Sequence, residues 1–119
     1  MNQEEVKKQI NDVLRDAIEE YLNENNPLQK GQVYSEIEKV GRIDDPILDP
    51  EIDPVELVTK GEIEVIGSVE VQVMESMGKG NFRRARLELN FREVVLCYSE
   101  KVVSIEDGSF NVLSIDRRN

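Results

Sequence analysis

From Glu62 onward the chain alternates between apolar and polar residues, and this period of two limits the fold more than any other feature. Ile63, Val65, Gly67, Val69, Val71 and Val73 fall on one side, and Glu62, Glu64, Ser68, Glu70 and Gln72 on the other. Successive side chains of a strand point to opposite faces, so the run is a strand with one dry and one wet face, as in an antiparallel sheet. It is too long for one flat strand, and Gly67-Ser68 is read as its bend or bulge. Gly78-Lys79-Gly80-Asn81 turns the chain, which returns with Ala85, Leu87, Leu89 and Phe91 inward and Arg84, Arg86, Glu88, Asn90 and Arg92 outward. The phase breaks at Arg92-Glu93, because Val94, Leu96 and Tyr98 resume the apolar series one residue out of step. A bulge there restores consistency and expels Glu93 from the interior. The other reading covers Val94–Tyr98 on both faces, one by a helix and one by a partner chain.

A sheet with one dry face needs a cover, and the first segment supplies it. Val6, Ile10, Val13, Leu14, Ala17, Ile18, Tyr21 and Leu22 recur at spacings of three and four, the stripe of an amphipathic helix. The stripe is wide, which suits docking on a sheet better than a coiled-coil seam. Asn2 stands where a cap is needed, with Glu5 three residues on. Pro27 disfavours helical geometry in Asn26, so the helix is expected over about 2–24. It would span about 33 Å at 1.5 Å per residue.

Between helix and long strand, Gln32–Val40 reads as an edge strand whose two faces separate poorly. Asp44-Asp45-Pro46-Ile47-Leu48-Asp49-Pro50-Glu51-Ile52-Asp53-Pro54 follows, with prolines at spacing four. Proline lacks an N–H donor, so residues 43–56 are expected to form an extended acidic loop. At the other end, Asp107-Gly108 is the dipeptide of a two-residue hairpin turn and would pair Ile105 with Phe110 and Val103 with Val112. The whole reads as one α+β domain over residues 1–119: an N-terminal helix packed on a bent four- to five-stranded antiparallel meander, about 32–40 and 61–116. This element order resembles the cystatin-like and NTF2-like architectures, with the hot-dog arrangement a further likeness. The resemblance is one of outline and carries no functional residue.

The sequence excludes several chemistries. Without histidine there is no Ser-His-Asp or Cys-His catalysis, and one cysteine, Cys97, allows neither an intrachain disulfide nor an ordinary zinc site. Cys97 sits in an apolar stretch and reads as a small buried hydrophobe. Gly78-Lys79-Gly80 is too short for a phosphate loop. Asp49, Glu51 and Asp53 alternate like calcium ligands, but Pro54 occupies the glycine position of an EF-hand frame and Lys60 the glutamate position. No cofactor or metal is expected. Glu93 is the best in-register candidate for a buried acid, and the bulge reading expels it; Tyr21, Tyr34 and Tyr98 are polar handles more readily explained as packing.

Net charge is −10 and unevenly laid out: residues 1–70 hold 18 Asp/Glu against 7 Lys/Arg, residues 71–119 hold 7 against 8. That balance opposes nucleic-acid binding, including by the Lys79–Arg86 cluster, and nothing in the sequence is apolar enough to span a membrane. With no disulfide and no apolar leader, a cytoplasmic location is the expectation. By elimination and charge, the chain reads as a non-enzymatic interaction module, an accessory, inhibitor or immunity-type protein that offers an acidic surface to a basic protein partner. The residues expected to meet that partner are Asp44, Asp45, Ile47, Leu48, Asp49, Glu51 and Asp53. Their prolines lower the entropy cost of staying extended, and their apolar members either clamp the loop on the core or face the partner. A ligand or enzymatic pocket between helix and sheet is the alternative, and a homodimer or larger homo-oligomer that stacks sheets is a third.

Overall fold

The computed structural model describes residues 2–24, 37–49, 51–106 and 110–118. It contains an N-terminal helix packed on a curled six-stranded antiparallel sheet, the α+β arrangement that the sequence outlines.

Helix α1 (Gln3–Glu24) begins where Asn2 caps it: the Asn2 side chain accepts from the Glu5 N–H at 2.9 Å and its carbonyl from Val6 at 3.1 Å. Val6, Ile10, Leu14, Ile18 and Leu22, one row at spacing four, are each 0% exposed. They join one core cluster with Val65, Val69, Val71, Leu87, Leu89 and Phe91, so the expected docking of stripe on dry face is met.

The sheet is built around one long hairpin. Strands β3 (Glu62–Gly78) and β4 (Asn81–Tyr98) pair without interruption from Glu62↔Leu96 to Ser76↔Phe82, and Gly78, Lys79 and Gly80 close the turn at positive φ. A 17-residue strand at about 3.3 Å per residue accounts for the 53 Å long axis of the molecule. On the outer face, Arg92 reaches Glu64 at 2.8 Å and Arg86 reaches Glu70. Glu70 stands directly opposite Glu88 in register; Arg86 takes the first, and Arg118 the second with its Nε 2.9 Å away.

The ladder corrects two sequence readings. Pairing passes straight through Val65↔Glu93 and Ile66↔Arg92, so no bulge intervenes and Glu93 stays in phase, 3% exposed, on the inner face. Gly67↔Phe91 and Ser68↔Asn90 are equally regular. Gly67 is needed for another reason: a Cβ there would overlap the carbonyl oxygen of Ile47 in the next strand.

That strand belongs to a segmented edge. Strand β1 (Ile37–Ile43) and strand β2 (Ile47–Leu48) run in tandem, antiparallel to β3, from Ile37↔Glu75 to Leu48↔Gly67. The edge position foreseen for β1 is met; its described part runs over Ile37–Ile43, and residues 32–36 lie outside the described ones. Two register shifts in β1 insert extra residues, and such bulges bend the strand and increase its twist.

The far edge repeats this layout and overturns the terminal hairpin. Strand β5 (Lys101–Ile105) pairs with Tyr98–Val95 of β4, and strand β6 (Val112–Arg117) pairs with Phe91–Leu87 of the same strand. Ile105 therefore faces Val95 rather than Phe110, and Val112 faces Phe91 rather than Val103. Asp107 and Gly108 lie outside the described residues. The physical reason is the length of β4: its free edge has donors and acceptors for both segments, whereas a two-stranded hairpin standing alone is marginal.

The 43–56 loop is also corrected. Asp44 N–H donates to Glu70 O at 3.0 Å and Asp49 N–H to Ile66 O at 2.9 Å, which ties this stretch to β3 on both sides of β2. Helix α2 (Pro54–Lys60) then starts with the Asp53 side chain accepting from Val55 N–H at 2.9 Å and ends at Gly61, φ 74°. Leu57 carries α2 into the core at 0% exposure.

The two bulged edges curl around α1. Val102 on β5 donates its N–H to the Gln9 side chain at 2.8 Å, Arg15 meets Asp45 beyond β1 at 2.6 Å, and Gln3 holds the Ile52 carbonyl at 2.9 Å. No helix of the described residues is long and apolar enough to cross a membrane.

Candidate functional site

Of the seven residues expected to meet a partner, some are engaged within the chain and some are not. Asp44 lies 2.9 Å from Arg42 and Asp45 lies 2.6 Å from Arg15, so both charges are matched within the chain. Asp53 is the cap of α2, and Leu48 is half-buried against the core. Asp49, Glu51 and Ile47 remain outward, Ile47 at 73% exposure. Among the described residues no group of three or more acidic or sulfur side chains could hold a metal ion.

Two acids lie inside instead. The Glu93 carboxylate accepts from the Asn111 backbone N–H where the chain steps from β5 to β6. Glu75, at 0% exposure on the inner face of β3, is gripped by Arg117 of β6 in a two-pronged contact, with Arg117 Nη1 2.7 Å from Glu75 Oε2, and by Arg83 Nε at 3.1 Å. The hydrogen bond to Glu75 holds the Arg117 guanidinium above its ordinary pKa. Both acids serve to tie strands: Glu93 joins β4 to the start of β6, and Glu75 joins β3 to its end. The tyrosines divide as well. Tyr98 is 76% exposed at the end of β4, Tyr34 lies outside the described residues, and Tyr21 is half-buried, with burial pushing its phenol above the ordinary value. Cys97 is a free, half-buried thiol packed beside the core.

The feature that the sequence reading did not single out is the outer side of α1. Its last nine residues carry Asp16, Glu19, Glu20 and Glu24 and no cation. All four are exposed, and none has a Lys or Arg nitrogen within ion-pair distance among the described residues. The C-terminal end of a helix is the negative end of its dipole, where an anion costs about 0.3–1 kcal/mol and a cation gains as much. At Glu24, in the last turn, stability alone would favour a cation. The signal is present in the sequence, since the apolar stripe leaves these residues on the opposite side of the helix, but the prolines mark the 43–56 segment more strongly.

A groove runs on each side of this acidic ridge. The one against β1, about 550 Å³, mixes signs, with Asp12, Asp16 and Glu19 beside Arg15 and Arg42. The one against β5, about 330 Å³, does not. Asp16, Glu20 and Glu24 form its helix wall, Ala17, Tyr21 and Phe110 its floor, and Val103 and Ile105 its far side. Phe110 is held by Tyr21, ring centroids 6.3 Å apart, and by Phe91 at 5.1 Å. Compared with known protein families, with curated proteins and with solved structures, the chain matches none, so the likeness to cystatin-like and NTF2-like folds stays one of outline.

Proposed function

We propose that the protein is a non-enzymatic interaction module that docks a basic protein surface through the acidic side of α1. The observation that supports this most is the set of four exposed carboxylates along the last nine residues of α1, none of them ion-paired among the described residues. Exposed charge of one sign that finds no ion-pair partner among the described residues is the kind of feature found at functional surfaces. The field of such a ridge accelerates encounter with a cationic partner and discourages anionic ones. The loop residues Asp49, Glu51 and Ile47 are secondary to it, because their neighbours Asp44, Asp45 and Asp53 are committed within the chain.

The test is affinity capture on immobilised full chain, run beside an Asp16→Asn/Glu19→Gln/Glu20→Gln variant. Proteins retained by the parent should be basic, should be released as salt rises from about 0.05 to about 0.5 M, and should be missing from the variant eluate. Retention of the same proteins by both chains, insensitive to salt, rules the reading out.

A further inference from the structure

We propose that the groove between α1 and β5 receives a cationic amphipathic segment of the partner, with apolar side chains on the Tyr21–Phe110 floor and Lys or Arg side chains against Asp16, Glu20 and Glu24. This rests on the acidic-surface reading and adds the place and the chemistry of recognition.

Three observations carry it. Asp16, Glu20 and Glu24 are four residues apart, hence one row on the helix, with a step of about 6 Å at 1.5 Å per residue. Alternate side chains of an extended peptide are about 6.8 Å apart, so a segment with a cation at every second position matches the row along its length. Second, the groove offers apolar surface where the other flank offers charge: Val103 is 53% exposed on its far side, and no Lys or Arg lines it among the described residues. An acidic wall facing an apolar floor is complementary to a basic, amphipathic occupant and to neither a purely polar cation nor an uncharged apolar peptide. Third, the volume of about 330 Å³ lies at the lower end of pocket sizes that hold ligands, which suits a few side chains of a segment rather than a whole domain.

The test uses three probes on the full chain: a fluorescein-labelled peptide alternating lysine with valine, a lysine-glycine peptide of equal charge and length, and spermine. Anisotropy should show the lysine-valine peptide binding at least tenfold more tightly than the lysine-glycine peptide. Glu20→Gln/Glu24→Gln should weaken it by roughly tenfold or more, the loss of about one charge-assisted contact. Val103→Ser, at an exposed site that leaves the core intact, should weaken it several-fold, whereas Asp12→Asn/Glu19→Gln on the other flank should change it by less than about twofold. Equal loss from both acidic pairs would overturn the groove and leave the acidic-surface reading standing. Equal binding of the two peptides, or spermine displacing the lysine-valine peptide as well as the unlabelled peptide does, would show that the floor is unused and overturn the groove likewise. If no probe binds at low salt, both readings fall.

Discussion

Arg117→Met, set beside Glu75→Met and the double variant, tests whether the buried acid at the end of β3 clamps the sheet. Glu75 is fully buried and holds two guanidinium groups, Arg117 at 19% side-chain exposure and Arg83 at 49%. Removing Arg117 deletes both prongs of the fork and leaves the carboxylate to the more exposed Arg83. Breaking a buried pair from one side costs about 3–5 kcal/mol, because the remaining charge has lost its solvent and most of its compensation. Arg83 retains a share, so about 3 kcal/mol is expected, a large part of the 5–15 kcal/mol that holds a typical domain. Urea unfolding reads this directly. With a slope of about 1–3 kcal/mol per molar, the midpoint should fall by about 1 M or more at unchanged slope. Replacing both partners with methionine removes the charges together, and the double variant should return to within about 1 kcal/mol of the parent. A midpoint for Arg117→Met within about 0.3 M of the parent would mean that the fork is worth no more than an exposed ion pair. Additive losses in the double variant would mean that the two side chains act through packing alone.

Three further outcomes follow from the same packing. Ile18→Ala, in the middle of the fully buried row of α1, should cost about 2–5 kcal/mol, and an unchanged denaturation midpoint would remove the helix from the core. Gly67→Ala should push the Ile47–Leu48 strand off β3, at about 1–3 kcal/mol and with faster amide exchange at Asp49, whose N–H bonds Ile66 O; unchanged exchange would refute the close approach. Burial raises the Tyr21 pKa, so the folded chain holds the phenolic proton to higher pH than the unfolded one. The stability attached to it is whole below the ordinary value of about 10 and is lost as pH rises through the folded value. Melting temperature should therefore fall above about pH 10, and by less in Tyr21→Phe; identical profiles would contradict this.

What the sequence discloses follows the regularity of each segment. The α1 stripe and the 62–91 alternation are long and periodic, and the helix on its dry face could be read from them directly. Short elements escaped because their signals compete. Asp53-Pro54 and Gly61 are a cap, a first-turn proline and a left-handed stop, sufficient to mark α2, but the same prolines read as extended chain. Ile47-Leu48 makes a strand only because β3 passes beside it, a tertiary effect with no local trace. Asp107-Gly108 carried a strong local hairpin signal that lost to the free edge of β4. Glu93 broke the apolar phase because a buried carboxylate is improbable without a partner. The partner, the Asn111 N–H, is 18 residues away and invisible to any window. For the candidate site, the acidic imbalance was legible and its address was not. Which carboxylates are spent inside the chain depends on where Arg15 and Arg42 land.

The buried row of α1 is synthesised before the strands that cover it. Leu89, Phe91 and Val95 follow some 70 residues later, and Phe110, Val112 and Ile115 later still. A nascent chain therefore carries the apolar row of α1 bare until the strands it packs against, β5 among them, have been made. The acids on the other side of α1 bear on this interval: a helix with a strongly anionic back repels its own copies while its apolar front waits. Neutralising that back should raise aggregation during expression even where the finished fold is equally stable.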